Sequence, residues 1–174
     1  IFADMVGYTR WLETDQVYAM KLVAEARKVI AAEAEEYGGI VHRQFGDGFL
    51  VSFASTVDAV RCALATQDKL SGGNPPALRI GIDMGDVVMS GDDIHAPAVN
   101  VAARLQSLEP YAAPGTVVVS ENVWRQIRNQ GEFEIEHVGR EFLKNVTEPA
   151  EIFVVKFRPS YDLGDSPQMQ PGSS

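Results

Sequence analysis

With 174 residues, 45% of them hydrophobic and 22% charged, the chain is long enough for one domain with its own core plus a tail. Its formal charge of −9 disfavours nonspecific binding to DNA, RNA or an anionic membrane surface, yet leaves room for a small basic nucleotide site. The single cysteine, Cys62, excludes an intrachain disulfide and fits a reducing, cytoplasmic setting, and no apolar run has membrane-spanning length.

The chain opens on Ile1, already inside an apparent buried strand that ends near Asp4, and is expected to be a fragment. Gly7 and Thr9 follow in a loop whose N–H groups suit an anion, or which simply turns strand into helix. From Asp15 to Tyr37 the spacing predicts a helix. Met20, Val23, Ala24, Ile30, Ala31 and Ala34 form its apolar stripe, Thr14 or Asp15 its cap, and Gly38-Gly39 its end. Ile40–Phe45 and Phe49–Phe53 predict a hairpin closed by Gly46-Asp47-Gly48, because Asp-Gly between apolar runs is a strong turn signal.

Ser55-Thr56-Val57-Asp58 resembles a capping box that opens a second helix running to about Leu70. After a Gly/Pro loop, Leu78–Met84 reads as a strand and Val87–Met89 as its continuation. Pro97 suits the first turn of a third helix to about Leu108. Thr116–Val119 is a strand, Ser120 caps a short helix through Ile127, and Phe133–Phe142 pairs with Glu151–Phe157. Residues from Pro159 onward are rich in Pro, Gly, Ser and Gln and are expected to be a disordered tail or linker, so the domain is taken as 1–158. Alternating strands and helices around one hairpin predict an α/β (α+β) sandwich, a mixed sheet with helices packed on it. A ferredoxin-like βαββαβ order would bring Asp4 and Asp47 to one sheet edge.

Two carboxylates at strand ends beside glycine suit hard divalent cations and phosphates. On the third helix, Asn100 and Arg104 are four apart and share a face. That pair is either a solvated polar stripe or an amide and guanidinium placed for a sugar and a phosphate. His42, His95 and His137 are scattered without metal-ligand spacing, and Trp11, Trp124 and Cys62 read as packing residues.

Taken in order, Phe2-Ala3-Asp4-Met5-Val6-Gly7-Tyr8-Thr9, Phe45-Gly46-Asp47-Gly48, Asp93, and Val99-Asn100-Val101-Ala102-Ala103-Arg104 resemble the class III nucleotidyl cyclase catalytic domain. Leu143-Lys144-Asn145 ahead of Glu148-Pro149 resembles the C-terminal strand pair of its bacterial adenylate cyclase members, so the likeness runs from Ile1 to about Phe157. The resemblance implies the ferredoxin-like cyclase core and an adenylate cyclase that converts ATP to cyclic AMP and pyrophosphate. By the same resemblance Asp4, Asp47 and the Met5 carbonyl hold two Mg²⁺ or Mn²⁺ ions, one for the ribose 3′-hydroxyl and one for the triphosphate. Gly7 and Thr9 belong to its phosphate loop, Asn100 orients the ribose, Arg104 stabilises the α-phosphoryl charge, and Lys144 contacts the terminal phosphates. The family works as head-to-tail dimers with sites shared between chains. A homodimer is therefore implied, together with a regulatory domain outside this fragment.

The base-reading pair implied by the resemblance is Asp93 and Arg43. Arg43 stands where a lysine is usual, while the Glu and small residue of a guanylate site are absent, so ATP is the expected substrate. Ala96-Pro97 replaces the usual Gly-Asp or Gly-Asn, and Asp86 stands where some members place a phosphate-binding arginine. Two other readings share parts of this pattern. One is a cyclase-like dimerisation or nucleotide-binding signalling module without strong activity, and the other is a polymerase-like palm enzyme. The acidic balance argues against the nucleic-acid substrate of the second.

Overall fold

The structure is a computed structural model that describes residues 1–42, 46–72, 75–91 and 93–159, with the Asp93 backbone only. Its elements run β1 (Phe2–Met5), α1 (Tyr8–Thr14), α2 (Gln16–Glu36), β2 (Ile40–Val41), β3 (Gly48–Ser52), α3 (Thr56–Lys69), β4 (Leu78–Ile82) and β5 (Val88–Ser90). They continue with β6 (Asp93–His95), α4 (Pro97–Leu105), β7 (Val117–Ser120), α5 (Glu121–Ile127), β8 (Phe133–Glu141) and β9 (Ala150–Phe157).

Among the described residues seven strands form one sheet in the order β2-β3-β1-β4-β7-β9-β8. Its first four strands, with α2 and α3, have the βαββαβ order predicted from the sequence. β1 lies between β3 and β4 and is antiparallel to both. β4 pairs in parallel with β7, and the connection between them carries the two-stranded β5–β6 arm and helix α4.

Alternation of side chains along the strands builds two cores. Ala3, Met5, Phe49, Val51, Leu78, Ile80 and Ile82 are buried against residues of α2 and α3 such as Leu22, Ile30, Val60 and Leu64. On the other face Leu105 of α4 meets Val118, Ile152, Val154 and Leu143 in a smaller cluster. Asp4 lies between Ala3 and Met5, and Arg79 between Leu78 and Ile80, so both belong to the second face. Polar residues flanked by fully buried neighbours on a strand are what two-sided burial with one wet region produces.

The helix starts read from the sequence are capped as expected. Asp15 accepts from the Tyr18 N–H at 3.0 Å, Ser55 from the Asp58 N–H at 3.2 Å, and Ser120 from the Val123 N–H at 3.4 Å. Each such cap contributes on the order of 1 kcal/mol. Cys62 is buried, and burial pushes its thiol up to about 12, as a packed rather than reactive cysteine requires. Trp11 meets Tyr18 edge-on at 5.2 Å, and Trp124 stacks on Phe153 at 4.9 Å.

Three elements differ from the expectation. The stretch after Gly7 is a helix, α1, rather than a loop. Gly7 at φ 75° turns the chain straight from β1 into α1, whose one short apolar repeat, Tyr8, Trp11 and Leu12, leaves only Tyr8 and Trp11 partly buried on the core. The buried stripe of α2 is Ala19, Leu22, Val23, Ala26, Ile30, Glu33 and Ala34, whereas Met20 is 62% exposed. Glu33 tolerates its core position because Lys69 of α3 caps its carboxylate in an ion pair. Finally, Val88–Ser90 does not continue β4 as expected but pairs with a second short strand, β6, in a separate two-stranded arm, where it is exposed throughout.

Candidate active site

Strand pairing places the first two candidate residues. In the β1–β3 ladder Asp4 lies opposite Gly48, so Asp47, one residue earlier, ends beside it. The Asp47 carboxyl stands against the Asp4 carboxyl, with the backbone of Met5 and of Asp47 itself favouring its ionised form. Burial, followed by the hydrogen bond and the negative charge of Asp4, raises Asp47 from the usual carboxylate range to about 6. Two carboxyl groups forced together at the end of adjacent strands form a site short of positive charge. That donor set suits a hard divalent cation. Among the described residues no cluster of three or more His, Cys, Asp and Glu is arranged to hold a metal.

Around this pair, Gly7 is the left-handed residue that precedes α1, and Thr9 is exposed on the first turn of α1. On the other flank Arg79, directly opposite Asp4 in the β1–β4 register, donates from Nη2 to Asp4 Oδ2 at 3.0 Å.

Helix α4 carries the second group. Ala102 and Leu105 are buried, while Asn100 is exposed and Arg104 half-buried. The helix lies unusually close to the sheet. A Cβ built on Gly81 of β4 would stand 2.2 Å from the Ala102 carbonyl oxygen, so only glycine permits this approach. Pro97 occupies the first turn as expected. Among the described residues no ion pair engages Arg104, and no hydrogen bond or ion pair joins Asn100 or Arg104 to Asp4 or Asp47. Among the described residues, then, the Asn100–Arg104 pair and the Asp4–Asp47 pair stand as two separate groups within one chain.

Lys144 is exposed on the β8–β9 connection, next to the buried Leu143 that packs in the α4-side cluster. Arg43 lies outside the described residues, and so does the side chain of Asp93. His42 bonds Ser52 Oγ at 2.7 Å and His137 bonds Glu151 at 2.6 Å, structural roles in both cases.

The Adenylate and Guanylate cyclase catalytic domain family model matches residues 1–156. The chain belongs to the class III cyclases. A Rhizobium meliloti relative provisionally named adenylate cyclase 3 is 32% identical over 87% of this chain and 27% of its own length. An adenylate/guanylate cyclase/hydrolase structure from Silicibacter pomeroyi is 34% identical and covers 88% of this chain and 92% of that one, with a TM-score of 0.74. The adenylyl cyclase CyaB of P. aeruginosa shares the fold at a TM-score of 0.76 and 21% identity, covering 92% and 94% of the two chains. This cyclase domain spans about a quarter of the length of the curated adenylate cyclases it matches. No helix among its described residues is long and apolar enough to cross a membrane.

Sequence reading of the cyclase domain passed over Arg79 and Gly81. Arg79 lies within the strand read as Leu78–Met84, and its partner Asp4 is 75 residues away. Gly81 breaks the run Leu78–Ile82 without any turn residue beside it, a signal of close backbone approach that could have been read.

Proposed function

We propose that this cyclase domain is an adenylate cyclase, converting ATP to 3′,5′-cyclic AMP and pyrophosphate in a head-to-tail homodimer. The observation that carries the reading is the Asp4–Asp47 carboxyl pair, whose raised Asp47 marks a place built for cationic charge. Names of the adenylate cyclase relatives favour the same product.

Asp4, Asp47 and the Met5 carbonyl hold two Mg²⁺ or Mn²⁺ ions. When bound, such cations supply a lowered 3′-hydroxyl pKa and neutralise triphosphate charge. Gly7 and the first turn of α1 with Thr9 face the phosphates. From the partner chain, Asn100 orients the ribose and Arg104 donates to the α-phosphoryl oxygens as charge builds in the transition state. Lys144 binds the terminal phosphates. Asp93 accepts from the adenine amino group, and Arg43 donates to the ring nitrogen. Two copies complete what one chain leaves apart. The exposed Ile40 and Val41 of β2 share a groove with Val87 and Met89 beside the β5–β6 arm, an apolar surface that suits a second copy.

The test is direct. The purified domain is incubated with ATP or GTP and Mn²⁺ or Mg²⁺, cyclic nucleotide is measured, and the oligomeric state is checked by light scattering. Cyclic AMP from ATP, well above cyclic GMP from GTP, is the expected result. A confirmed dimer that makes neither product would overturn the enzyme reading and leave a nucleotide-binding or dimerisation module.

A further inference from the structure

Arg79 is the one cation that touches the proposed metal site among the described residues, and its geometry is that of a guest rather than an anchor. It pairs with Asp4 through a single contact, Nη2 to Oδ2 at 3.0 Å, instead of the two parallel bonds a guanidinium makes with a carboxylate when it is locked. Its Nε is buried and has no hydrogen-bond partner among the described residues. Its Nη1 lies 3.7 Å from Glu109 Oε1, too long for a hydrogen bond but within reach of a small side-chain rotation. Glu109, 80% exposed, belongs to the segment just after α4, the helix that carries Asn100 and Arg104.

We propose that Arg79 is a positioning residue that stands in for the divalent cation on Asp4 and is handed to Glu109 when the cation binds. The proposal rests on the reading that Asp4 and Asp47 hold the metal. Asp4 and Arg79 are only about one-fifth to one-quarter exposed, so solvent screens their interaction weakly. A guanidinium and a divalent cation compete for the same carboxylate oxygen and repel each other there. The guanidinium cannot withdraw along its own strand, where Leu78 and Ile80 are buried. Glu109 is the acceptor on its open side. Metal loading in one half-site is thereby linked to the segment that follows the other half-site's helix within the same chain.

The experiment measures Mn²⁺ alone, by electron paramagnetic resonance of the free ion, on the full chain in wild type, Arg79→Met, Glu109→Gln and the double variant. Asp47→Asn identifies the binding that belongs to this site. Arg79→Met is expected to bind Mn²⁺ about three-fold or more tighter, because the competing charge is gone, and Glu109→Gln about two-fold or more weaker. In the double variant the Glu109 effect disappears. A merely structural arginine gives the opposite pattern: Arg79→Met weakens or leaves binding unchanged, and Glu109→Gln does nothing. Either result overturns the handover. Should Arg79→Met not fold, Glu109→Gln alone still decides, and Arg79→Lys, which keeps the charge, is expected to stay near wild-type affinity. Wild type that binds no Mn²⁺ sensitive to Asp47→Asn overturns the metal reading itself and the inference with it. Binding that is present but indifferent to both variants overturns the inference alone.

Discussion

The Ala102 carbonyl oxygen of α4 stands where a side chain on Gly81 would have to begin, 2.2 Å from a Cβ built at that position, and the Gln106 N lies 2.6 Å from it. The height of α4 above the sheet is thus set by one missing methyl group, and with it the positions of Asn100 and Arg104.

Gly81→Ala is expected to lift α4 from β4. Overpacking of this kind costs about 1–3 kcal/mol. An ångström-scale displacement of a substrate-positioning element costs up to about 100-fold in rate. Thermal melts and cyclase assays on the same preparation check both. A variant that melts like wild type and turns over at the wild-type rate shows that α4 does not depend on this contact.

Asp47 makes the metal-free domain sensitive to pH in a known direction. Its carboxyl rises from 3.8 to about 6 on folding, so the folded state holds its proton more firmly than the unfolded state does. Below 3.8 both states are protonated and nothing is lost. As pH climbs from there through about 6, the folded state gives up the proton reluctantly, and stability falls. Asp47→Asn removes this loss. The melting temperature of Asp47→Asn minus that of wild type is therefore expected to grow between pH 4 and 6 and then level off, and Mn²⁺ should narrow the gap above pH 6 by favouring the ionised pair. A difference that stays flat with pH contradicts the raised carboxyl.

Sharing of sites between chains is testable by mixing. Asp47→Ala and Arg104→Ala are each expected to be inactive. Random re-pairing of equal amounts makes half of the dimers mixed, each with one intact site, so about a quarter of wild-type activity should return. No recovery after verified subunit exchange would place both half-sites in one chain.

On the proposed reading, base choice rests on Arg43 and Asp93. Arg43→Lys should raise turnover of ATP without raising that of GTP, because a lysine delivers a single point charge to the ring nitrogen where the arginine fork is larger. An unchanged ATP rate means that the arginine already fits.

Much of the fold was legible because its punctuation is local. Asp15, Ser55 and Ser120 cap the helices that follow them, and Gly38 ends α2 with a left-handed turn. Elements without full burial or punctuation were not legible: α1 rests only the partly buried Tyr8 and Trp11 on the core, and β6 exists through its partner β5. In the α2 stripe Met20, Ala24 and Ala31 prove exposed, while Glu33 occupies a core position through Lys69, a partner 36 residues away that no periodicity reveals. At the site the same division holds. Asp47 announced a turn and Asp4 a strand end, but their contact depends on β1 pairing with β3. That non-local ladder followed from a ferredoxin-like βαββαβ order of the elements, which periodicity alone does not prove. Arg79 acts across strands, and nothing in its neighbours' identity reports it, whereas the bare Gly81 inside an apolar strand was a local sign of the close approach of α4.

The β5–β6 arm has a further consequence. Val88 is 63% and Met89 54% exposed on a two-stranded ribbon, and Ile40 on the edge strand β2 is 63% exposed. An apolar ribbon next to an open sheet edge is a sticky surface when it is left bare. The colloidal behaviour of the domain should therefore follow its pairing. Substitutions that separate the copies are expected to lower the solubility of the chain as well as silence it, and polar replacements at Val88 and Met89 should restore the first without the second.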